Sequence, residues 1–185
     1  TLLAPLAMHL QQKSRIYLVL PAQWHDLPMA ACFNGQQYLV ENHQLVYLSA
    51  VDSLFGAQQP EQPQFANEAL VIGHEDNGRL PFAVHEAETI TTTLNPHYQV
   101  TQLMNEAASF AHFEQASQQC SLIHLATHAT FRPDNPLFSW IRLADRDLTV
   151  ADIYEMRFGK RPFVILSACE TGRGQPRGGG LVGMG

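Results

Sequence analysis

No apolar run in this sequence approaches ~18 residues, so no membrane-spanning helix is expected. Positive charge is scarce: 11 Lys and Arg stand against 17 Asp and Glu, a formal net charge of −6. The cations are scattered, which excludes the basic stripe of a nucleic-acid binder. Cysteine is rare as well. Three of them, widely spaced, make no disulfide framework, and a reducing, cytoplasmic setting is the default. Gly-Lys-Ser/Thr does not occur, which argues against a Walker-type phosphate loop. Internal repeats are absent too. The start, Thr1-Leu2-Leu3-Ala4-Pro5, has neither a charged n-region nor a cleavage site and does not read as a signal peptide. It also lacks an initiator Met, and the chain is expected to be a piece of something longer.

What is present is globular in character. The hydrophobic fraction of 45% with 15% charge suits a packed core. A length of 185 residues suits one domain, or one domain with a small appendage. Residues 3, 6, 7 and 10 give a short helical stripe over Thr1 to Gln12. Ile16 to Leu20 is predicted as a strand closed by Pro21. Gln37 to Val40 and Leu45 to Ser49 read as two strands of a hairpin joined by Glu41 to Gln44. The polar, proline-broken stretch Gln58 to Gln64 marks a subdomain boundary. Beyond it the pattern becomes βαβαβ: a strand over Ala69 to Ile72, a helix over Val84 to Leu94 and a strand over Tyr98 to Thr101. A helix capped by Asn105 and running to about Gln118 then precedes a further strand. Crossovers of this length force parallel pairing, with helices on both faces of the sheet.

Two apolar runs organise the chain. Ser121-Leu122-Ile123-His124-Leu125-Ala126-Thr127-His128 ends in a histidine, and Pro162-Phe163-Val164-Ile165-Leu166-Ser167-Ala168-Cys169 ends in a cysteine. Each has the look of a strand buried on both faces of a parallel sheet. Ligands and catalytic groups in such sheets gather at the carboxyl ends of the strands. A nucleophile and its acid/base partner would thus meet through the fold. Spacing alone is equally compatible with a buried structural cysteine and an unrelated histidine, because free Cys is among the most buried residue types.

Leu125-Ala126-Thr127-His128 and Leu166-Ser167-Ala168-Cys169-Glu170-Thr171-Gly172 resemble the paired signatures of the CHAT family. These are caspase-like cysteine peptidases of clan CD, often fused to tetratricopeptide repeats. Asp134-Asn135-Pro136-Leu137, Leu143 and Leu148 to Ile153 resemble the family's intervening segment, and the likeness runs back to about Leu20-Pro21. The resemblance implies a caspase-like strand order, Cys169 as nucleophile and His128 as general acid/base. It implies an oxyanion hole from the backbone N–H groups of Cys169 and of the residue after the histidine, here Ala129 where the family commonly has Gly. Ala resists positive φ. The implied partners are a protein or peptide substrate and a regulatory protein or tetratricopeptide-repeat region. The sheet's final strands are expected beyond Gly185.

Other features have milder readings. His124 and His128 on a strand lie roughly 13 Å apart, too far to share a metal, so His124 reads as a packed strand residue. Asp134 and Asn135 follow the histidine strand and are candidates for substrate binding, though a solvated turn explains them equally well. Glu170 either raises the Cys169 pKa or joins a backbone network. Cys32 and Cys120 read as structural. Gly178 to Gly183 matches G-x-G-x-x-G, but no acid follows at the required distance, and a mobile loop is the better reading.

The expectation is therefore an α/β domain with a caspase-like, mostly parallel sheet and helices on both faces. Residues 1–57 would form a small N-terminal β-containing subdomain, 58–66 a linker and 67–185 the peptidase core. The function expected is a thiol endopeptidase with no cofactor, no metal, no direct nucleic-acid contact and no membrane. The alternative is a non-catalytic, peptidase-like interaction module.

Overall fold

A computed structural model describes residues 3–10, 13–21, 24, 27–48, 51, 67–159, 162–168, 174–177 and 180–183. The chain divides into two compact units, Thr1–Pro60 with Pro176–Leu181, and Glu61–Gln175 with Val182–Gly185. Among the described residues, no helix is long and apolar enough to cross a membrane.

In the first unit, a 3-10 turn at Ala4–Leu6 leads into α1 (Ala7–Leu10). The strand β1 (Arg15–Leu18), the single helical turn α2 (Leu39–Asn42) and the strand β2 (Gln44–Tyr47) follow. The hairpin expected over 37–49 does not form. Glu41 Oε2 accepts the Tyr38 N–H at 2.7 Å, which favours a helical turn over an extended strand. β2 pairs instead with β1, in parallel, and Arg15 Nε donates to Gln44 Oε1 at 2.8 Å across that pair.

The second unit holds the predicted βαβαβ run: β3 (Glu68–Gly73), α3 (Ala83–Leu94), β4 (Gln99–Met104), α4 (Phe110–Ser117) and β5 (Leu122–Ala126). There follow β6 (Ala129–Thr130), β7 (Trp140–Arg142), β8 (Asp147–Thr149), α5 (Val150–Glu155) and β9 (Phe163–Ser167). The strands β3, β4, β5 and β9 form one parallel sheet in the order β4-β3-β5-β9. The short strands β6, β7 and β8 form a separate antiparallel sheet. Gly174–Arg177 (β10) and Gly180–Gly183 (β11) form a two-stranded sheet, so the glycine motif read as a loop is in part a strand; Gly178 and Gly179 lie outside the described residues.

β3 is apolar from Ala69 to Ile72 because it is flanked on both edges and covered, and all four residues are buried. Gly73 ends it for a steric reason. A Cβ there would lie 2.8 Å from both Ala87 Cβ and Met104 Sδ, so α3 can approach only over a glycine. The helix itself carries a run of threonines. Thr89, Thr92 and Thr93 each donate a hydroxyl to the carbonyl four residues back at 2.9 Å, which satisfies these side chains within the helix. Leu70, Ile72, Ile123 and Leu125 cluster with Phe113 of α4 and with Ile141, Leu143 and Leu148 of the β6–β8 segment. Asn105 does not cap α4. It starts a 3-10 turn (Asn105–Ala107), and Ser109 is the cap, its hydroxyl accepting the His112 N–H at 3.4 Å.

Candidate active site

The parallel pairing of β5 and β9 sets the site. Leu122 stands opposite Phe163 and Ala126 opposite Ser167, and every pair differs by the same 41 positions. His128 and Cys169 are separated by that same step, each two residues beyond the last paired residue of its strand. Cys169 and Glu170 lie outside the described residues. Leu166 and Ala168 are half-buried and pack against the core cluster.

His128 is fixed through its backbone by β7. Arg142 N–H donates to the His128 carbonyl at 2.8 Å, and the buried Thr127 hydroxyl donates to the Arg142 carbonyl at 2.9 Å. The first bond makes Ala129 and Ile141 a non-hydrogen-bonded antiparallel pair. The Ala129 N–H therefore turns away from β7 rather than into the ladder. It does so from extended backbone: the positive-φ non-glycine residues described are Asp76, Asn77 and Asn105, and Ala129 is not among them. The His128 side chain is 29% exposed, yet its Nε2 is buried and makes no hydrogen bond. That nitrogen lies 3.9 Å from Asp76 Oδ2.

Asp76 belongs to the loop after β3, which reaches the same sheet edge. His74 N–H donates to the Ala126 carbonyl at 3.0 Å and so continues the β3–β5 ladder past Gly73. The Glu75 N–H donates to Asn105 Oδ1 at 3.0 Å, which ties the loop after β3 to the loop after β4. Three consecutive residues, Asp76 (φ 47°), Asn77 (φ 55°) and Gly78 (φ 80°), then take left-handed backbone. Asp, Asn and Gly are the residue types that tolerate this region, which is why the sequence can turn so sharply here. Asp76 Oδ2 also lies 3.3 Å from a terminal nitrogen of Arg79, an arginine whose side chain is 74% exposed. Burial pushes the neighbouring His74 imidazole below its ordinary value; Arg142 and His128 push the same way, against Asp76 and Glu106.

The other predicted residues have local partners of their own. Asp134 sits between β6 and β7, paired with Arg132 at 2.6 Å, and that hydrogen bond holds its carboxyl below the ordinary value. Asn135 accepts the Phe138 N–H on its carbonyl at the start of a 3-10 turn. His124 is buried in β5 with Nε2 3.1 Å from Glu86 Oε1 of α3, as suits a packed strand residue. Cys120 is buried and donates its thiol to the Ala116 carbonyl, whereas Cys32 is half-buried. Among the described residues, no group of three His, Cys, Asp or Glu could hold a metal ion. Sequence reasoning missed Asp76, His74 and Asn105. The signal was available: Asp76-Asn77-Gly78 is a turn sequence with two residues between it and the end of an apolar strand, and Asn105 directly follows β4.

The architecture defines an α/β domain whose parallel sheet gathers polar and titratable side chains at the carboxyl ends of β3 and β5. More particularly, the chain belongs to the CHAT domain family, whose family model matches residues 1–185, its whole length. CHAT domains are a caspase-like peptidase family. No curated protein matches the chain.

Proposed function

We propose that this chain is the core of a CHAT-type cysteine endopeptidase with a caspase-like sheet flanked by helices on both faces. In this reading the Cys169 thiolate attacks the scissile carbonyl, and the negative oxygen is met by the N–H groups of Ala129 and Cys169. Collapse of the intermediate breaks the C–N bond. The leaving amine takes a proton from the His128 imidazolium, and an acyl thioester remains on Cys169. Water then attacks the thioester, giving one proton to His128; the C–S bond breaks, the thiolate re-forms, and the released carboxylic acid loses the other proton to solvent. One observation carries the reading: the unbroken β5–β9 register, in which the step between paired residues equals the step from His128 to Cys169. The outward turn of the Ala129 N–H supports it.

The family resemblance extends the proposal to a protein or peptide substrate, to regulation by a partner protein or a tetratricopeptide-repeat region, and to a cytoplasmic setting. Asp134 and Asn135 remain proposed substrate contacts. The segments 1–57, 58–66 and 67–185 remain the proposed subdomain, linker and core.

The test is alkylation of the intact protein by iodoacetamide across pH, with Cys169, Cys32 and Cys120 followed separately by peptide mass spectrometry. An ordinary thiol with a pKa of ~8.5 is only about 1% ionised near pH 6.5, which leaves room for up to about a hundredfold advantage for an activated one. Cys169 is expected to outpace the half-buried Cys32 in this range, and His128→Ala is expected to remove the advantage. Equal rates for Cys169 and Cys32, unchanged by His128→Ala, would overturn the dyad and favour a non-catalytic interaction module.

A further inference from the structure

We infer that Asp76 is the positioning residue for His128: its carboxylate faces Nε2 and holds the ring so that Nδ1 exchanges the proton with the thiol. The inference rests on the cysteine-peptidase reading of the same site.

Three observations converge on it. His128 Nε2 is buried and makes no hydrogen bond, and among the described residues Asp76 Oδ2 is paired with it at 3.9 Å. This is ion-pair range rather than a hydrogen bond, and such contacts often tighten only when substrate closes the site. Secondly, the Asp76 side chain is only 12% exposed, so its charge acts through a poorly solvated path. Thirdly, Asp76 stands in left-handed backbone between the His74 N–H anchored on Ala126 and the following αL residues Asn77 and Gly78. Non-glycine residues in that region are strained and persist where the surroundings hold them.

The competing explanation is that Asp76 serves Arg79. An i,i+3 pair with a largely exposed arginine contributes little, and forming it requires neither burial nor left-handed backbone. Among the described residues, the other charged groups that act on His74 at this edge include Glu106 and Arg142. Arg142 is engaged with Asp147 at 2.9 Å and stacks over Trp140. Among the described residues, Asp76 is thus the carboxylate in ion-pair range of the His128 ring. A carboxylate on Nε2 fixes the Nε2–H tautomer and leaves the Nδ1 lone pair to accept the thiol proton. In the thiolate–imidazolium state the same carboxylate offsets the ring's positive charge.

Asp76→Asn and Asp76→Gly test this, because both Asn and Gly accept left-handed backbone and should preserve the loop. Two readouts are needed on the intact protein. The first is 15N NMR of the His128 imidazole at a pH where the ring is neutral, assigned by its loss in His128→Ala. The wild type should show one dominant tautomer with the proton on Nε2, and both variants a mixture. The second is the iodoacetamide rate at Cys169 near pH 6.5. Both Asp76 variants should fall by about tenfold, with a thermal midpoint close to wild type. Asp76→Asn combined with His128→Ala should be no slower than His128→Ala alone, as expected for residues that act as a unit. Asp76→Glu should recover part of the rate.

An unchanged His128 tautomer in both variants would overturn the inference, whatever the alkylation rates show. So would a strictly additive double variant. If the tautomer shifts as expected but His128→Ala leaves the Cys169 rate untouched, the positioning role stands and the peptidase reading falls.

Discussion

His74 follows β3 directly, and its surroundings set how the second unit responds to acid. Burial depresses its imidazole below the ordinary 6.5, with Arg142 and His128 adding to the effect and Asp76 and Glu106 opposing it. A histidine depressed in the folded chain takes its proton more readily once unfolded. Between the folded value and 6.5 the unfolded state therefore holds more protons, and stability rises with pH across that window. The contribution is fully present above 6.5 and is lost as pH falls through the folded value. Urea titrations at about pH 7 and about pH 5 should show a lower midpoint in acid, and His74→Gln should flatten that part of the dependence. An identical slope in the variant would assign the acid sensitivity to other groups.

At the scale of single elements, α5 shows how local sequence can specify a boundary. Thr149 accepts the Asp152 N–H on its hydroxyl at 3.1 Å, and Asp152 accepts the Thr149 N–H at 2.8 Å, a reciprocal box that satisfies both donors. Burial pushes the Asp152 carboxyl up, but the Thr149 hydrogen bonds and the Arg146 guanidinium bring it net below its ordinary value. Its support is therefore present at neutral pH and is lost as pH falls below 3.8 through the folded value. Thr149→Ala should cost about 1 kcal/mol at neutral pH in chemical denaturation. The cost should shrink in strong acid, where the carboxyl is protonated in both proteins. Legibility in the sequence varied in the same way from element to element. β3, β5 and β9 are continuous apolar runs, and α3 carries a helical period long enough to read. The strands β6 to β8 have two or three residues each, too few for any period to register. Asn105 carried a genuine cap signal, yet its side chain is committed to the Glu75 N–H in a distant loop. That tertiary bond is invisible to a local rule.

The molecule as a whole is graded across its sheet. β3 is buried from Ala69 to Gly73, whereas Phe163, Val164 and Ile165 of β9 are exposed. Amide exchange in this chain should follow that gradient, slowest at Leu70 to Ile72 and faster at Phe163 to Ile165. Equal protection along both strands would show that β9 is covered by something other than the sheet described here. The same grading explains what the sequence revealed of the site. The place of His128 at the sheet edge was legible because it follows a buried apolar strand. The Asp76-Asn77-Gly78 turn was legible too, but not the pairing of its carboxylate with the imidazole, which only the folded loop brings about. The parallel register has one further consequence, for the lengths this chain can tolerate. Residues inserted among the exposed Arg132, Pro133 and Asp134, between β6 and β7, lengthen a surface connection, and doubling such a loop costs roughly 0.6 kcal/mol. A single deletion between Phe163 and Ser167 is different in kind. It slips β9 by one place against β5, exchanges the faces of every residue after it, and sets Cys169 out of step with His128.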